Sequence, residues 1–263
     1  MATAMTYVVT ETKERLGIIT FSNPKKANAL SPALLDEIYV ALTQFKEARI
    51  PVVIIRAPKG VKVWSAGFDI DELPKSGRDP LEYDSSLERV LRWIQLYRGP
   101  VIAMVQGGVW GGACDLAMTC DLVVGDQTCM FAITPAKIGL PYNASGILHF
   151  INRVGTSVAK QMFFTAEPVT AERAASLGIL NFLVPSDELE RFTLDLATKI
   201  SRHSPLSMAV IKEQFRILSA AYPVTAETFE RIQSLRRKVY ESQDYLEGIQ
   251  AFLQKRKPDF KGE

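Results

Sequence analysis

Pro100-Val-Ile-Ala-Met-Val105 is a continuous apolar run of strand length, and it leads through Gln106 into Gly107-Gly-Val-Trp-Gly-Gly-Ala113 and a short helical pattern over Gly112–Met118. A strand without polar alternation fits burial on both faces, as in a parallel sheet. Working outward, the same strand type occurs at Pro51-Val-Val-Ile-Ile-Arg56 and Leu122-Val-Val124, with a helical pattern over Leu81–Leu96 between them. Upstream, Ser31-Pro32 is a helix start, with a serine N-cap and a proline whose missing N–H costs nothing at the first turn. Leu34, Leu35, Ile38, Leu42 and Phe45 then recur at helical spacing. Before that helix, Tyr7–Thr10 and Leu16–Phe21 flank the polar Glu11–Arg15 and predict a hairpin. Alternating strands and helices predict an α/β core.

From about Asn152 onward the pattern becomes helical throughout, with Thr170 and Thr225 as N-caps and Gly178 closing a helix before the apolar Ile179–Val184. Phe229–Lys257 is amphipathic and highly charged and stops at Pro258. Such a tail has too little apolar surface for its own core, so it is expected to pack on the first part or on a neighbouring subunit. No sequence repeat or low-complexity linker divides the 263 residues.

Composition excludes more than it selects. Hydrophobic residues make up 47% and charged residues 23%, ordinary values for a globular protein with a core. A net charge of +2, with basic residues dispersed among acids, argues against a nucleic-acid partner. No apolar run approaches the ~20 residues that span a bilayer, and Met1–Thr12 lacks a signal-peptide pattern. Cys114, Cys120 and Cys129 are an odd count without framework spacing, which predicts buried, reduced thiols and a cytoplasmic location. The two histidines, His149 and His203, lie apart from the cysteines and from each other, so no metal site is expected.

Two glycine-bearing segments stand out: Ser65-Ala66-Gly67-Phe68-Asp69-Ile70 and the 107–113 stretch quoted first, each tied to a strand. Glycines let a backbone approach a ligand, and a helix that follows directs free N–H groups outward. Two such loops facing each other offer two amides to one oxygen, the geometry of an oxyanion hole. Tight packing or a phosphate cradle would use similar glycines, but no Gly-Lys-Ser/Thr follows, and a dinucleotide fingerprint matches poorly.

Asn23-Pro-Lys-Lys-Ala-Asn-Ala-Leu30, Ser65–Ile70, Gly111-Gly-Ala-Cys-Asp-Leu-Ala117, Cys120-Asp-Leu122, Thr170–Gly178 and Phe252-Leu-Gln-Lys-Arg-Lys-Pro258 together resemble the crotonase (enoyl-CoA hydratase/isomerase) family in order and spacing, over nearly the whole chain. The resemblance implies a crotonase (ClpP-like) α/β fold, with stacked ββα units over 1–200 and a helical trimerisation region over 201–263. Homotrimers, or hexamers built as dimers of trimers, would follow. It also implies an acyl-CoA substrate, with coenzyme A part of the substrate and no separate cofactor. The oxyanion-hole amides would be those of Phe68 and Gly112. Coenzyme A would lie along Lys25, Lys26, Ala27, Ala66, Phe68, Ile70, Trp110, Gly111 and Pro135, with Lys255 facing phosphate; solvated surface charge is the alternative for the lysines.

The family's hydratases activate water with two glutamates. Here the first position is Asp115 and the second falls on or near Ala136, which cannot transfer a proton. Thr134-Pro-Ala-Lys-Ile-Gly-Leu-Pro-Tyr-Asn143, Gly77-Arg-Asp-Pro80 and Phe229-Glu-Arg-Ile-Gln233 look more like the family's decarboxylases, which turn methylmalonyl-CoA into propionyl-CoA. That resemblance gives Tyr142 the substrate carboxylate to orient, and puts Phe68 where those enzymes carry histidine. The alternatives are a hydratase or isomerase that uses Asp115, and a non-catalytic scaffold for coenzyme A or RNA.

Overall fold

The structure is a computed structural model that describes residues 5–74, 79–220 and 225–262. It opens with the hairpin of β1 (Val8–Lys13) and β2 (Leu16–Phe21), paired antiparallel with Val8 opposite Phe21. β1 ends three residues later than its sequence suggests. Its side chains after Val8 are exposed on a sheet edge, where polar residues are tolerated, and Glu14 turns the chain at φ 53°. The helix α1 (Pro32–Glu47) starts as expected, with the Ser31 hydroxyl accepting from the Leu34 N–H at 3.3 Å.

Three consecutive units follow. They are β3 (Val52–Arg56), β4 (Val63–Ser65) and α2 (Ser86–Leu96); β5 (Val101–Val105), β6 (Gly108–Trp110) and α3 (Gly112–Thr119); and β7 (Leu122–Asp126), β8 (Met130–Ala132) and α4 (Ala144–Thr165). Then come β9 (Val169–Thr170), α5 (Ala171–Ser176), β10 (Phe182–Val184) and α6 (Leu189–Ser201). The first strand of each unit joins a six-stranded sheet ordered β1-β2-β3-β5-β7-β10, and the second joins a four-stranded sheet ordered β4-β6-β8-β9. Each unit thus contributes to both layers, and this is the stacked ββα arrangement expected.

The six-stranded sheet is covered on both faces, which explains its unbroken apolar strands. One face packs on α1, α2 and α3 in the main core with Ile19, Val53, Ile55, Val101 and Ala103. The other packs Leu16, Val52, Ile54, Ile102 and Met104 under Leu189 and Ala197 of α6.

Three expectations are corrected. The chain after Asn152 is not all helix: β10 pairs parallel to β7, Phe182 opposite Val124, and β9 pairs with β8. α2 begins at Ser86 rather than Leu81, because Ser85 caps the Glu88 N–H while Asp79 takes the Leu81 N–H at 2.8 Å in a preceding turn. α4 begins earlier, at Ala144 behind the Asn143 cap, and Gly155 breaks its helical dihedrals at φ 75°. Gly77 and Arg78 of the Gly77–Pro80 motif lie outside the described residues.

Three further helices form the tail: α7 (Pro205–Ser219), α8 (Ala226–Tyr240) and α9 (Gln243–Leu253). α8 is tied to the loop before α2 by Arg236 and Asp79 at 2.6 Å, with the Tyr240 hydroxyl donating to Asp79 at 2.9 Å. α9 closes on the 3-10 turn Pro135–Ile138, so tightly that a Cβ on Gly248 would stand 2.2 Å from the Ile138 carbonyl oxygen. The tail therefore packs on the first part of the chain. α7 buries none of its residues fully and leaves Leu206, Phe215 and Leu218 exposed. Among the described residues no helix is long and apolar enough to cross a membrane.

Candidate active site

β4 and β6 are neighbours in the four-stranded sheet, parallel, with Ser65 opposite Val109. Parallel strands bring the loops at their carboxyl ends side by side, so Ala66–Phe68 meets Gly111–Gly112. Contact there is close: a Cβ on Gly67, itself at φ 85°, would stand 2.3 Å from the Trp110 carbonyl oxygen and 3.2 Å from the Gly112 nitrogen. Only glycine fits.

The Phe68 peptide is aimed by Leu30. The Leu30 N–H donates to Gly67 O at 2.7 Å and Leu30 O accepts from Asp69 N–H at 3.3 Å, a parallel bridge. In such a bridge the neighbouring peptides bond the partner, and the central N–H points the opposite way. The Phe68 nitrogen accordingly lies 3.5 Å from where a Gly112 Cβ would be. Among the described residues neither the Phe68 nor the Gly112 N–H has a protein acceptor. Gly112 opens α3 behind Gly111 at φ 51°, so its N–H is one of the unbonded donors at the positive end of that helix. Both donors are without protein acceptors, and the loops that carry them are in contact.

Ala27 and Ala66 join the site directly, since the Ala66 N–H donates to Ala27 O at 2.9 Å, and Ala66 is exposed beside it. Ile70 and Trp110 flank the loops half-buried, and Pro135 is buried at the end of β8, where Gly111 N–H reaches Ala132 O at 2.8 Å. Lys25 is exposed on the same turn. The Lys26 ammonium is held between Asp69 at 2.8 Å and Asp71 at 2.9 Å, whose hydrogen bonds raise its pKa. That pairing pins the Lys25–Ala27 turn to the Phe68 loop. Lys255 is exposed just past α9, and among the described residues no bond brings it to that turn.

Asp115 lies one helical turn after Gly112 on α3 and is 1% exposed. Its carboxylate is fully engaged. The Tyr142 hydroxyl donates to Oδ2 at 3.0 Å, His149 Nδ1 lies 2.7 Å from Oδ1, and the Thr119 hydroxyl reaches Oδ1 at 3.4 Å. Burial pushes the Tyr142 pKa well up, and the charge of Asp115 adds to this, so the hydroxyl remains a donor. For His149 burial opposes the charged form, but the Asp115 carboxylate, with Glu88 behind it, outweighs burial and raises the pKa. Glu88 is itself buried, accepting from Asn143 Nδ2 at 2.5 Å and from the Ser145 hydroxyl at 2.9 Å. Ala136, at the position of the hydratases' second glutamate, is exposed on its 3-10 turn.

Sequence reasoning weighed His149 only as a metal ligand and did not single out Glu88. A signal for the first existed. Tyr142, Gly146, His149 and Phe150 follow at spacings of four, three and one around the start of α4, so His149 shares a face with Tyr142. The proton expected to orient a substrate carboxylate is donated to Asp115 in this structure.

The chain's likeness to known proteins agrees with this geometry. The family model described as Enoyl-CoA hydratase/isomerase matches residues 11–263. Methylmalonyl-CoA decarboxylase of Escherichia coli (strain K12) is 47% identical, over 97% of this chain and 98% of that protein. A solved structure of methylmalonyl-CoA decarboxylase in complex with 2-nitronate-propionyl-CoA superposes with a TM-score of 0.97 at 46% identity, covering 99% of this chain and 100% of that one. Another, complexed with 2S-carboxypropyl CoA, gives the same TM-score, identity and coverage. From motif set, layered ββα units and this likeness, the chain belongs to the enoyl-CoA hydratase/isomerase family.

Proposed function

We propose that this protein decarboxylates a malonyl-type coenzyme A thioester, converting methylmalonyl-CoA to propionyl-CoA, as the 47% identical decarboxylase is named to do. The single observation that carries this reading over a hydratase is the engagement of Asp115: buried, bonded to three side chains and without a second carboxylate at Ala136. A water-activating base needs a carboxylate free to take a proton. Decarboxylation needs none.

In this mechanism the thioester oxygen sits between the Phe68 and Gly112 N–H groups. The bond from C2 to the carboxylate breaks, CO₂ leaves, and the electron pair passes into the thioester as an enolate whose oxygen the two amides stabilise. A proton from water at C2 completes propionyl-CoA. The Tyr142 hydroxyl orients the departing carboxylate. Phe68 contributes its backbone N–H, so a side chain other than histidine suffices, and its ring with Leu87 forms an apolar wall that favours neutral CO₂ over a carboxylate. Coenzyme A enters as part of the substrate along Lys25–Ala27, Ala66, Ile70, Trp110, Gly111 and Pro135, with Lys255 supplying charge for phosphate, and no separate cofactor is called for.

A homotrimer, or a dimer of trimers, is the assembly this reading implies, supported by the apolar side chains that α7, α8 and α9 leave exposed, including Phe215, Phe229 and Phe252. Three buried, unpaired cysteines suit a reducing cytoplasm. Incubation with methylmalonyl-CoA and with crotonyl-CoA separately tests the activity. CO₂ release from the first supports it; hydration of the second without CO₂ release, or no turnover of either, overturns it.

A further inference from the structure

His149 approaches Asp115 from the carboxyl end of α3, through Oδ1 and beside Thr119, whereas the Gly112 amide is at the amino end of the same helix. Tyr142 takes the other carboxylate oxygen. This creates an electrostatic difficulty for the proposed reaction. A malonyl-type substrate brings its own carboxylate to Tyr142, next to a buried aspartate, and like charges in a poorly solvated site repel strongly. Tyr142 also has a single proton and two carboxylates to receive it.

We propose that His149 is a positioning residue for the decarboxylation: as an imidazolium it neutralises Asp115 from behind, so that the Tyr142 hydroxyl can turn its proton from Asp115 to the substrate carboxylate. This rests on the functional reading above. Several features support a charged His149. Asp115 and Glu88 both favour its protonated form. Its Nε2 stands 2.9 Å from the Gln95 amide nitrogen, which donates to a neutral ring as placed, so the imidazolium requires the Gln95 carboxamide to turn by a half-turn and present its oxygen. On its far side His149 lines a cavity of about 590 Å³ that also contains Asp121, Arg153, Lys212 and Arg216. In that wall Lys212 is matched by Asp121 at 2.7 Å and Arg216 by Glu213 at 2.6 Å, whereas Arg153, one helical turn beyond His149, donates to the Cys120 carbonyl and has no ion pair among the described residues. Asp115 has no cationic partner other than His149 among the described residues.

Binding of two ligands to the wild type, His149→Gln and the double variant His149→Gln/Asp115→Asn tests this at pH 7. The probes are 2S-carboxypropyl-CoA, which carries the carboxylate, and propionyl-CoA, which lacks it. His149→Gln is expected to weaken the carboxylated ligand by about tenfold or more and propionyl-CoA by less than about threefold. The double variant, with both charges removed, is expected to recover most of that loss, which a purely structural role for the ring would not produce. Parallel weakening of both ligands, no weakening, or no recovery in the double variant overturns the proposal. Should His149→Gln not fold, Asp115→Asn alone decides: retained affinity for 2S-carboxypropyl-CoA supports the proposal and its loss overturns it. Ligand binding needs no turnover. A wild type that binds but releases no CO₂ from methylmalonyl-CoA sinks the functional reading, whereas an unchanged ligand ratio in a decarboxylating wild type sinks this inference alone.

Discussion

The Tyr142 hydroxyl lies 3.0 Å from Asp115 Oδ2, so the residue expected to handle the substrate is bonded to the carboxylate that a hydratase or isomerase would need as its base. This one contact ties the Tyr142 loop to α3 and to the amide at its start. Tyr142→Phe removes the hydroxyl and keeps the ring, which packs edge-on against Phe150 and Phe163. The decarboxylation rate is expected to fall by about tenfold to a hundredfold. Stability should fall by about 1 kcal/mol, because Asp115 loses one of three bonds, and affinity for free coenzyme A should hardly change. Steady-state kinetics, thermal melts and calorimetric titration check these three quantities.

Gly112→Ala tests the proposed oxyanion pair. The added methyl would find Leu87 at 3.3 Å and the Phe68 nitrogen at 3.5 Å, tight but compatible with the fold. It would stand against the Phe68 amide. The melting temperature is expected to stay within a few degrees, while kcat falls by about 10²–10³.

Gly67→Ala should behave in the opposite way. Its methyl would stand 2.3 Å from a backbone oxygen, and φ of 85° is unfavourable for any side chain. A stability loss of about 2 kcal/mol or more is expected in denaturant titration, along with lost activity.

The raised pKa of His149 makes its contribution to stability depend on pH, in a direction that can be stated. A group whose folded pKa exceeds its unfolded value stabilises fully below the unfolded pKa, about 6.5 for histidine. That contribution disappears as pH rises through the folded value. The stability gap between wild type and His149→Gln should therefore be largest near pH 6 and shrink toward pH 9. Urea titrations across that range check it, and a gap that grows with pH would contradict the assignment.

The parts of this molecule set by local chemistry were legible in the sequence. The unbroken strands at 52–56 and 101–105, the Ser31, Thr170 and Thr225 caps and the glycines at 67 and 111–112 all appear where expected. What escaped was set by tertiary pairing. β4, β6 and β8 are three residues each, too short to show a period, yet their parallel pairing is what brings Phe68 to Gly112. β10 escaped for the same reason. Glu88 looked like an ordinary helix residue, and the spacing that puts His149 on the face of Tyr142 does not say that packing of α3 against α4 turns it toward Asp115.

The central claim is that loss of CO₂, not removal of a proton, generates the enolate held by Phe68 and Gly112. Turnover of methylmalonyl-CoA in D₂O, with product and remaining substrate analysed by mass, tests it most directly. The account predicts one CO₂ per propionyl-CoA, one deuterium at C2 of the product, and no deuterium in the remaining methylmalonyl-CoA beyond an enzyme-free control. Deuterium entering intact methylmalonyl-CoA, without release of CO₂, would mean that a base on the protein makes the enolate and would contradict it.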